Sequence, residues 1–254
     1  MGKAIAIFNQ KGGVGKTTTN INLAAGLAHK GKEVLMVDID PQGNTTSGIG
    51  IRKRVLKHTL YDALIDTEFD VDKAIVPTNT EGLFLLPASV DLAGAEGELA
   101  QLEGREGRLK RVIDAVKDDY DYILVDCPPS LGMLTVNSFA ASDGVIVPMQ
   151  CEFYALEGLS QLMITINRIK RLYNPELSVS GILITMYNGR LLLSMQVISE
   201  LKKHYEDKIF ETKISRNVKL TEAPGFGRPA YYHDKSSKGA KEYLEVAKEL
   251  VTRI

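Results

Sequence analysis

The residues with the clearest chemical meaning form the run Asn9-Gln10-Lys11-Gly12-Gly13-Val14-Gly15-Lys16-Thr17-Thr18, which joins an apolar segment ending at Phe8 to an amphipathic one. Glycines let successive backbone N–H groups curl around an anion, and a helix starting there adds unpaired N–H groups and a partial positive charge. Phosphate is the ligand that suits such a turn. Lys16 can reach terminal phosphates as a point charge. The Thr17 hydroxyl is a hard oxygen for a magnesium ion that keeps most of its waters, and Thr18 can offer a hydroxyl to another phosphate. A dinucleotide fingerprint does not fit, because Gly13-Val14-Gly15-Lys16-Thr17-Thr18 lacks its third glycine. Against the pattern GxxxxGK[ST], Gln10 occupies the first glycine position and an additional lysine, Lys11, follows it. A second fixed cation beside a transferring phosphoryl group supports developing charge, as an arginine finger does.

Two acidic segments belong with this turn. Val34-Leu35-Met36-Val37-Asp38-Ile39-Asp40-Pro41-Gln42-Gly43-Asn44 reads as a strand running into a loop, with a carboxylate pair where ligands of α/β proteins sit. Asp38 is placed to take a magnesium-bound water, and Asp40 to orient an attacking water or act as its base. Tyr122-Ile123-Leu124-Val125-Asp126-Cys127-Pro128-Pro129-Ser130 is a buried strand ending in an acid and a rigid double-proline turn, and it looks like a Walker B segment. Asp126 there is suited to hold magnesium through its water shell, with the prolines opening a second switch loop. Cys127 has no partner base in view and reads as a packing residue.

Positioning these groups requires a parallel sheet with helices on both faces. Strand-length apolar segments at Lys3–Phe8, Glu33–Val37, Leu83–Pro87, Tyr122–Asp126, Gly144–Val147 and Val179–Ile184 alternate with amphipathic segments, and Ile209–Thr212 is a weaker strand candidate. The helical segments are Lys16–His29, Asp91–Gln101, Arg105–Val116, Leu131–Ala141, Ala155–Leu172, Leu193–His204 and Lys238–Val251. Together they predict a doubly wound α/β fold of P-loop NTPase type, one domain over residues 1–254. The least regular stretch, Gly43 to Lys57, reads as a mobile surface loop. The 254 residues carry 31 Lys+Arg against 32 Asp+Glu and are 44% apolar, which excludes bulk disorder. No apolar run approaches the roughly 18 residues of a membrane span, and the N-terminal segment has no secretory pattern, so a cytoplasmic location is expected. Two cysteines and four scattered histidines offer neither a disulfide framework nor a transition-metal site.

With its KGGxGKT run, the chain resembles the deviant Walker A family, which includes ParA/Soj partition ATPases, MinD and the nitrogenase iron protein. The likeness extends through Val37–Asn44, Val125–Ser130, Gln150–Gly158, Thr185–Arg190 and Ile214–Gly225, and it is closest to ParA/Soj. The resemblance implies an ATPase using ATP and magnesium, in which Lys11 crosses a homodimer interface to the partner's nucleotide and Asp40 activates water. It also implies that Glu152 approaches the ribose across the dimer and that Asn188 and Asn217 contact adenine, where an amide has the donor and acceptor a base edge requires. The family usually has Ile-Pro-Arg-Asn where this chain has Ile214-Ser215-Arg216-Asn217, so a more flexible adenine wall is expected.

DNA binding has to be local, since a net charge of −1 attracts no polyanion. Residues 190–241 hold 11 Lys+Arg against 6 Asp+Glu, and the remainder 20 against 26. Arg190 and Lys219 match DNA-contacting positions of the Soj group, and Arg216 lies beside them. Doubling that patch in an ATP-bound homodimer would give salt-sensitive, nonspecific binding of double-stranded DNA and nucleoid association. The resemblance further implies stimulation by a ParB/Spo0J-type centromere-binding protein. The alternative is a MinD-like membrane-associated ATPase. Its basic amphipathic tail is not evident, because the segment after Lys241 carries three glutamates and its apolar face, Tyr243, Leu244, Ala247, Leu250 and Val251, suits core packing; no stable membrane association is expected. A regulatory ATPase acting on a protein partner alone would have the same nucleotide site.

Overall fold

In the computed structural model, which describes residues 2–254, the chain runs β1 Lys3–Ile7, α1 Lys16–Ala28, β2 Val34–Asp38, α2 Asn44–Gly48, α3 Leu60–Ile65, β3 Val76–Pro77, β4 Leu83–Leu86, α4 Leu92–Leu99, α5 Arg108–Val116, β5 Tyr122–Asp126, α6 Met133–Ala141, β6 Gly144–Met149, α7 Ala155–Leu172, β7 Ser178–Ile184, α8 Leu192–Tyr205, α9 Val218–Glu222, α10 Ala230–His233 and α11 Lys238–Arg253. The strands form one seven-stranded sheet in the order β3-β4-β2-β5-β1-β6-β7. All neighbours are parallel except β3 and β4, and Pro77 sits on that outermost strand, where a missing N–H does least harm. This is the doubly wound fold. β1, β5 and β2 lie side by side, so the segments that follow them converge at one edge, and the chain's crossing from β5 over β1 to β6 makes that edge a switch point.

Side-chain alternation divides the core in two. Ile5, Ile7, Met36 and Leu124 pack with α1 and α11, while Ala6, Phe8, Val37 and Val125 pack with the helices of the opposite face. α5 buries Leu109, Val112, Ile113 and Val116, the i, i+3, i+4, i+7 stripe of a one-sided helix. α11 buries Tyr243, Val246, Ala247 and Leu250; Val246 takes the place expected for Val251, which is exposed. Gly26 permits its close approach to α1, since a Cβ there would lie 2.9 Å from the Ala247 methyl.

Three expectations are corrected. Ile209–Thr212 forms no strand: Ile209 makes a single bridge to Ile182, and the amides of Glu211 and Thr212 donate to the Glu249 carboxylate instead of a neighbouring strand. Arg105–Gly107 is a 3-10 turn, with α5 beginning at Arg108. The Gly43–Lys57 stretch is partly core, because α2 buries Thr45, Thr46 and Gly48. Missed elements are short. α3 could have been found from its capping box, in which Thr59 and Asp62 cap each other across Thr59-Leu60-Tyr61-Asp62.

Candidate nucleotide site

β1 delivers the chain into a loop whose shape is set by two glycines. Gly13 has φ +73° and Gly15 φ +92°, the left-handed region closed to most residues, and Gly15 is the residue from which α1 starts. No side chain caps α1, so its first amides remain available to an anion. The loop is pinned from β6 and β7: Gln150 Nε2 donates to Gly13 O at 2.9 Å, and Thr185 Oγ1 to Val14 O at 2.7 Å. Asn9 Nδ2 donates to Pro148 O at 2.8 Å.

The two lysines of the loop differ sharply. Lys16 is only 8% exposed and curls back to donate to Lys11 O at 3.2 Å. Burial lowers its pKa, against which the Asp126 and Asp40 carboxylates pull upward. Lys11 points outward, about half exposed, and forms an ion pair with Glu152, itself half exposed. Two residues expected to act across an interface therefore meet each other within one subunit.

The acids lie opposite Lys16. Asp38 and Asp126 are direct partners in the β2–β5 register and both fully buried. Asp126 Oδ2 accepts from the Thr17 and Thr45 hydroxyls, each at 2.8 Å, and Asp38 Oδ2 accepts from Thr46 N and Oγ1, each at 2.7 Å. Consecutive threonines of α2 thus grip neighbouring strands through their acids. The second oxygen of each acid, Oδ1, is buried without a hydrogen-bond partner. Burial pushes both carboxyls above the ordinary carboxylate range, and for Asp38 the nearby Asp126 charge adds to it, while the Thr46 bonds oppose. Unpartnered hard oxygens beside the Thr17 hydroxyl fit a divalent cation. Among the described residues no cluster of three or more His, Cys, Asp or Glu could hold a metal alone. Asp40, 7% exposed, accepts from Gln42 N at 2.9 Å, and Lys53 reaches over Gly43 to Gln42 O. Cys127 is fully buried, its thiol pushed up to about 12 by desolvation, in keeping with packing.

The residues expected at the base divide between two cavities. One of about 320 Å³ is lined by Gly15, Thr18, Arg216, Asn217, Pro224 and Tyr243 among others, and another of about 680 Å³ by Glu152, Asn188, Arg190, Arg216 and Lys238 among others. Met186 and Ser215 border both. Asn188 and Asn217 do not share a pocket. Each also uses its amide oxygen locally, Asn217 on Lys219 N at 2.8 Å as the cap of α9, and Asn188 on Arg190 N at 3.1 Å. Each keeps its NH₂ donors and one acceptor site on the oxygen for a ligand. Arg190 and Arg216 come together, whereas Lys219 stands apart in an ion pair with Glu222 at 2.8 Å. Thr45, Thr46 and Lys53 escaped sequence reasoning. The polar Asn44-Thr45-Thr46-Ser47 run was the available signal, but its helix is too short to be periodic.

A mostly parallel sheet with a glycine-rich anion loop after β1 and acids at the ends of β5 and β2, the next two strands on one side, defines a P-loop nucleotide-binding protein. A family profile described as an AAA domain matches residues 2–179. The sporulation initiation inhibitor protein Soj of Bacillus subtilis is 54% identical over 98% of this chain and 98% of its own length. The chromosome-partitioning ATPase Soj of Treponema pallidum is 47% identical over 100% of this chain and 98% of its own. A Mycobacterium smegmatis structure described as cobyrinic acid a,c-diamide synthase with bound ADP and magnesium is 38% identical, with TM-score 0.85, 99% of this chain covered and 94% of that one. The chain belongs to the ParA/Soj family of chromosome-partitioning ATPases, and it is an ATPase.

Proposed function

We propose that the whole chain acts as one ATP-driven switch: two subunits close face to face over two nucleotides, the closed dimer holds nonspecific double-stranded DNA, and hydrolysis releases it. The observation that carries this reading is the outward position of Lys11, which leaves the cradle to Lys16 and presents a cation at the subunit surface. Release from Glu152 frees it for a partner's phosphates, and Glu152 for the partner's ribose. Gly12 through Thr18 wrap the phosphates with backbone N–H groups, Lys16 neutralises their charge, and Asp40 orients water in line with the γ-phosphate. Thr17 and Asp126, with Asp38 through water, would hold magnesium, which supplies charge stabilisation at the transferring group. Thr45 and Thr46 carry a change at these acids into α2 and the Asp40 loop.

Arg190 and Arg216, with Lys238 beside them, form the DNA-facing surface, to which Lys219 adds after parting from Glu222. A ParB/Spo0J-type protein is the partner expected to accelerate hydrolysis, and chromosome partition the setting. A MinD-like membrane role is disfavoured because α11 packs its apolar face on α1. The test is duplex retention with a non-hydrolysable ATP analogue. Wild type is expected to bind, more weakly as salt rises, and Arg190→Ala with Arg216→Ala to lose it at least tenfold. Undiminished binding in the double variant, or binding only to anionic liposomes, contradicts the assignment.

A further inference from the structure

The base-side wall of the 320 Å³ cavity, Ile214 to Asn217, belongs to no strand. Its backbone meets the end of β7 at Ile214, whose N–H donates to Ile184 O at 2.9 Å and whose carbonyl accepts from Tyr187 N at 2.8 Å beside the isolated Tyr187–Ser215 bridge; from Ser215 onward it is held by side chains. Ser215 donates twice to one carboxylate: its N–H to Glu242 Oε2 and its hydroxyl to Glu242 Oε1, each at 2.7 Å. The Lys238 ammonium lies 3.6 Å from Oε1. A proline at position 215, having neither N–H nor hydroxyl, would make neither bond. The wall expected to be looser is therefore tied down by a two-pronged, charge-assisted contact.

The residue after Glu242 lines the cavity as well and links it to α1. Tyr243 is buried, lines the same cavity, and sets its hydroxyl 3.0 Å from that of Thr19 on α1, next to Thr18 of the phosphate side. Glu242 and Tyr243 are adjacent on a sixteen-residue helix, so the spacing between the Ser215 wall and α1 is set by a rigid element. We propose that Ser215, Glu242 and Tyr243 are positioning residues that fix the width of the nucleotide pocket, with the Ser215–Glu242 clamp doing in this chain what ring rigidity does where proline occupies the position. This rests on the nucleotide reading above.

The test measures the affinity and dissociation rate of a fluorescent ATP analogue with magnesium, alongside kcat at saturating ATP and the thermal midpoint. Ser215→Ala is expected to weaken binding about fivefold and speed dissociation comparably, with kcat within about twofold, and Ser215→Thr to restore binding. Glu242→Gln should resemble Ser215→Ala, and the two together should cost less than their sum. Tyr243→Phe should weaken binding about threefold through the lost Thr19 bond. Should Glu242 variants fold poorly, the Ser215 pair decides alone. Unchanged affinity in Ser215→Ala with a lowered thermal midpoint would make the clamp a mere structural brace and overturn the proposal. Wild type that fails to bind the analogue would instead overturn the nucleotide reading beneath it.

Discussion

The phosphate side and the base side of the pocket are built by different physics. The phosphate loop takes its form from backbone conformation at Gly13 and Gly15 and from the ends of three adjacent strands, β1, β5 and β2. The base side is assembled from irregular segments around Met186 and Ile214–Pro224; Ile214 is tied by its backbone to Ile184 and Tyr187, and Ser215 by the Glu242 side chain that arrives from α11. Backbone-built sites leave a local signature of residue types, whereas side-chain-built sites depend on partners far along the chain. Damage on the first side should strike the chemistry, and on the second the fit of the nucleotide.

The largest effects are expected on the phosphate side, when its two lysines are replaced one at a time. Lys16→Ala should remove tight ATP binding and lower hydrolysis at least a hundredfold, while Lys11→Ala should keep monomer binding within a few fold and still lose turnover. Equal loss of binding in both, measured by titration calorimetry, would erase the distinction between a buried cradle lysine and a presented one.

A smaller effect comes from the acid pair. Asp38 and Asp126 have native pKa values raised by burial, so the folded protein binds their protons more tightly than the unfolded chain. The stability they contribute is fully present below the ordinary carboxylate range and is lost as pH rises through their raised values. Exposed acids such as Asp121 and Glu222, held low by their hydrogen bonds, act in the opposite direction. The informative quantity is thus the difference between proteins: in metal-free solution, Asp38→Asn should gain about 1 kcal/mol or more over wild type between pH ~5 and ~8, read from denaturant melts. A difference independent of pH would remove the account in which burial, with the Asp126 charge added, raises the Asp38 carboxyl.

The smallest effect is expected on the base side. Asn217→Ala removes the cap of α9 and should cost about 1 kcal/mol of stability, with a modest loss of affinity, by melting and nucleotide titration. A loss of affinity as large as that of Lys16→Ala would mean that Asn217 binds the base outright, with its capping bond incidental.

This division also explains which features are legible in the sequence alone. The loop from Lys11 to Thr18 and the acids at 38, 40 and 126 were legible because chemistry and spacing coincide within a few residues, and apolar β5 and β2 are buried along their whole length. The burial of Thr45 and Thr46 was not legible, since α2 is five residues long and is held by carboxylates from β2 and β5. Ser215 misled for the same reason. Its loss of a proline suggested flexibility, and only the fold brings Glu242, 27 positions away, to both of its donors. The turn bond of Asn188 and the capping bond of Asn217 were equally hidden, because an amide's partner depends on the turn it sits in.

The central claim, a lysine lent from each subunit to its neighbour's triphosphate, is most directly tested by mixing two inactive variants. Lys11→Ala lacks the lent cation and Asp40→Ala the water-orienting acid, so each alone should hydrolyse ATP poorly. In a mixed dimer, the site on the Lys11→Ala subunit regains a lysine from its partner and keeps its own Asp40. An equimolar mixture should therefore recover about a quarter of the wild-type rate per subunit. A mixture no more active than its components, when affinity capture through a tag on one variant shows that mixed dimers have formed, would contradict the account.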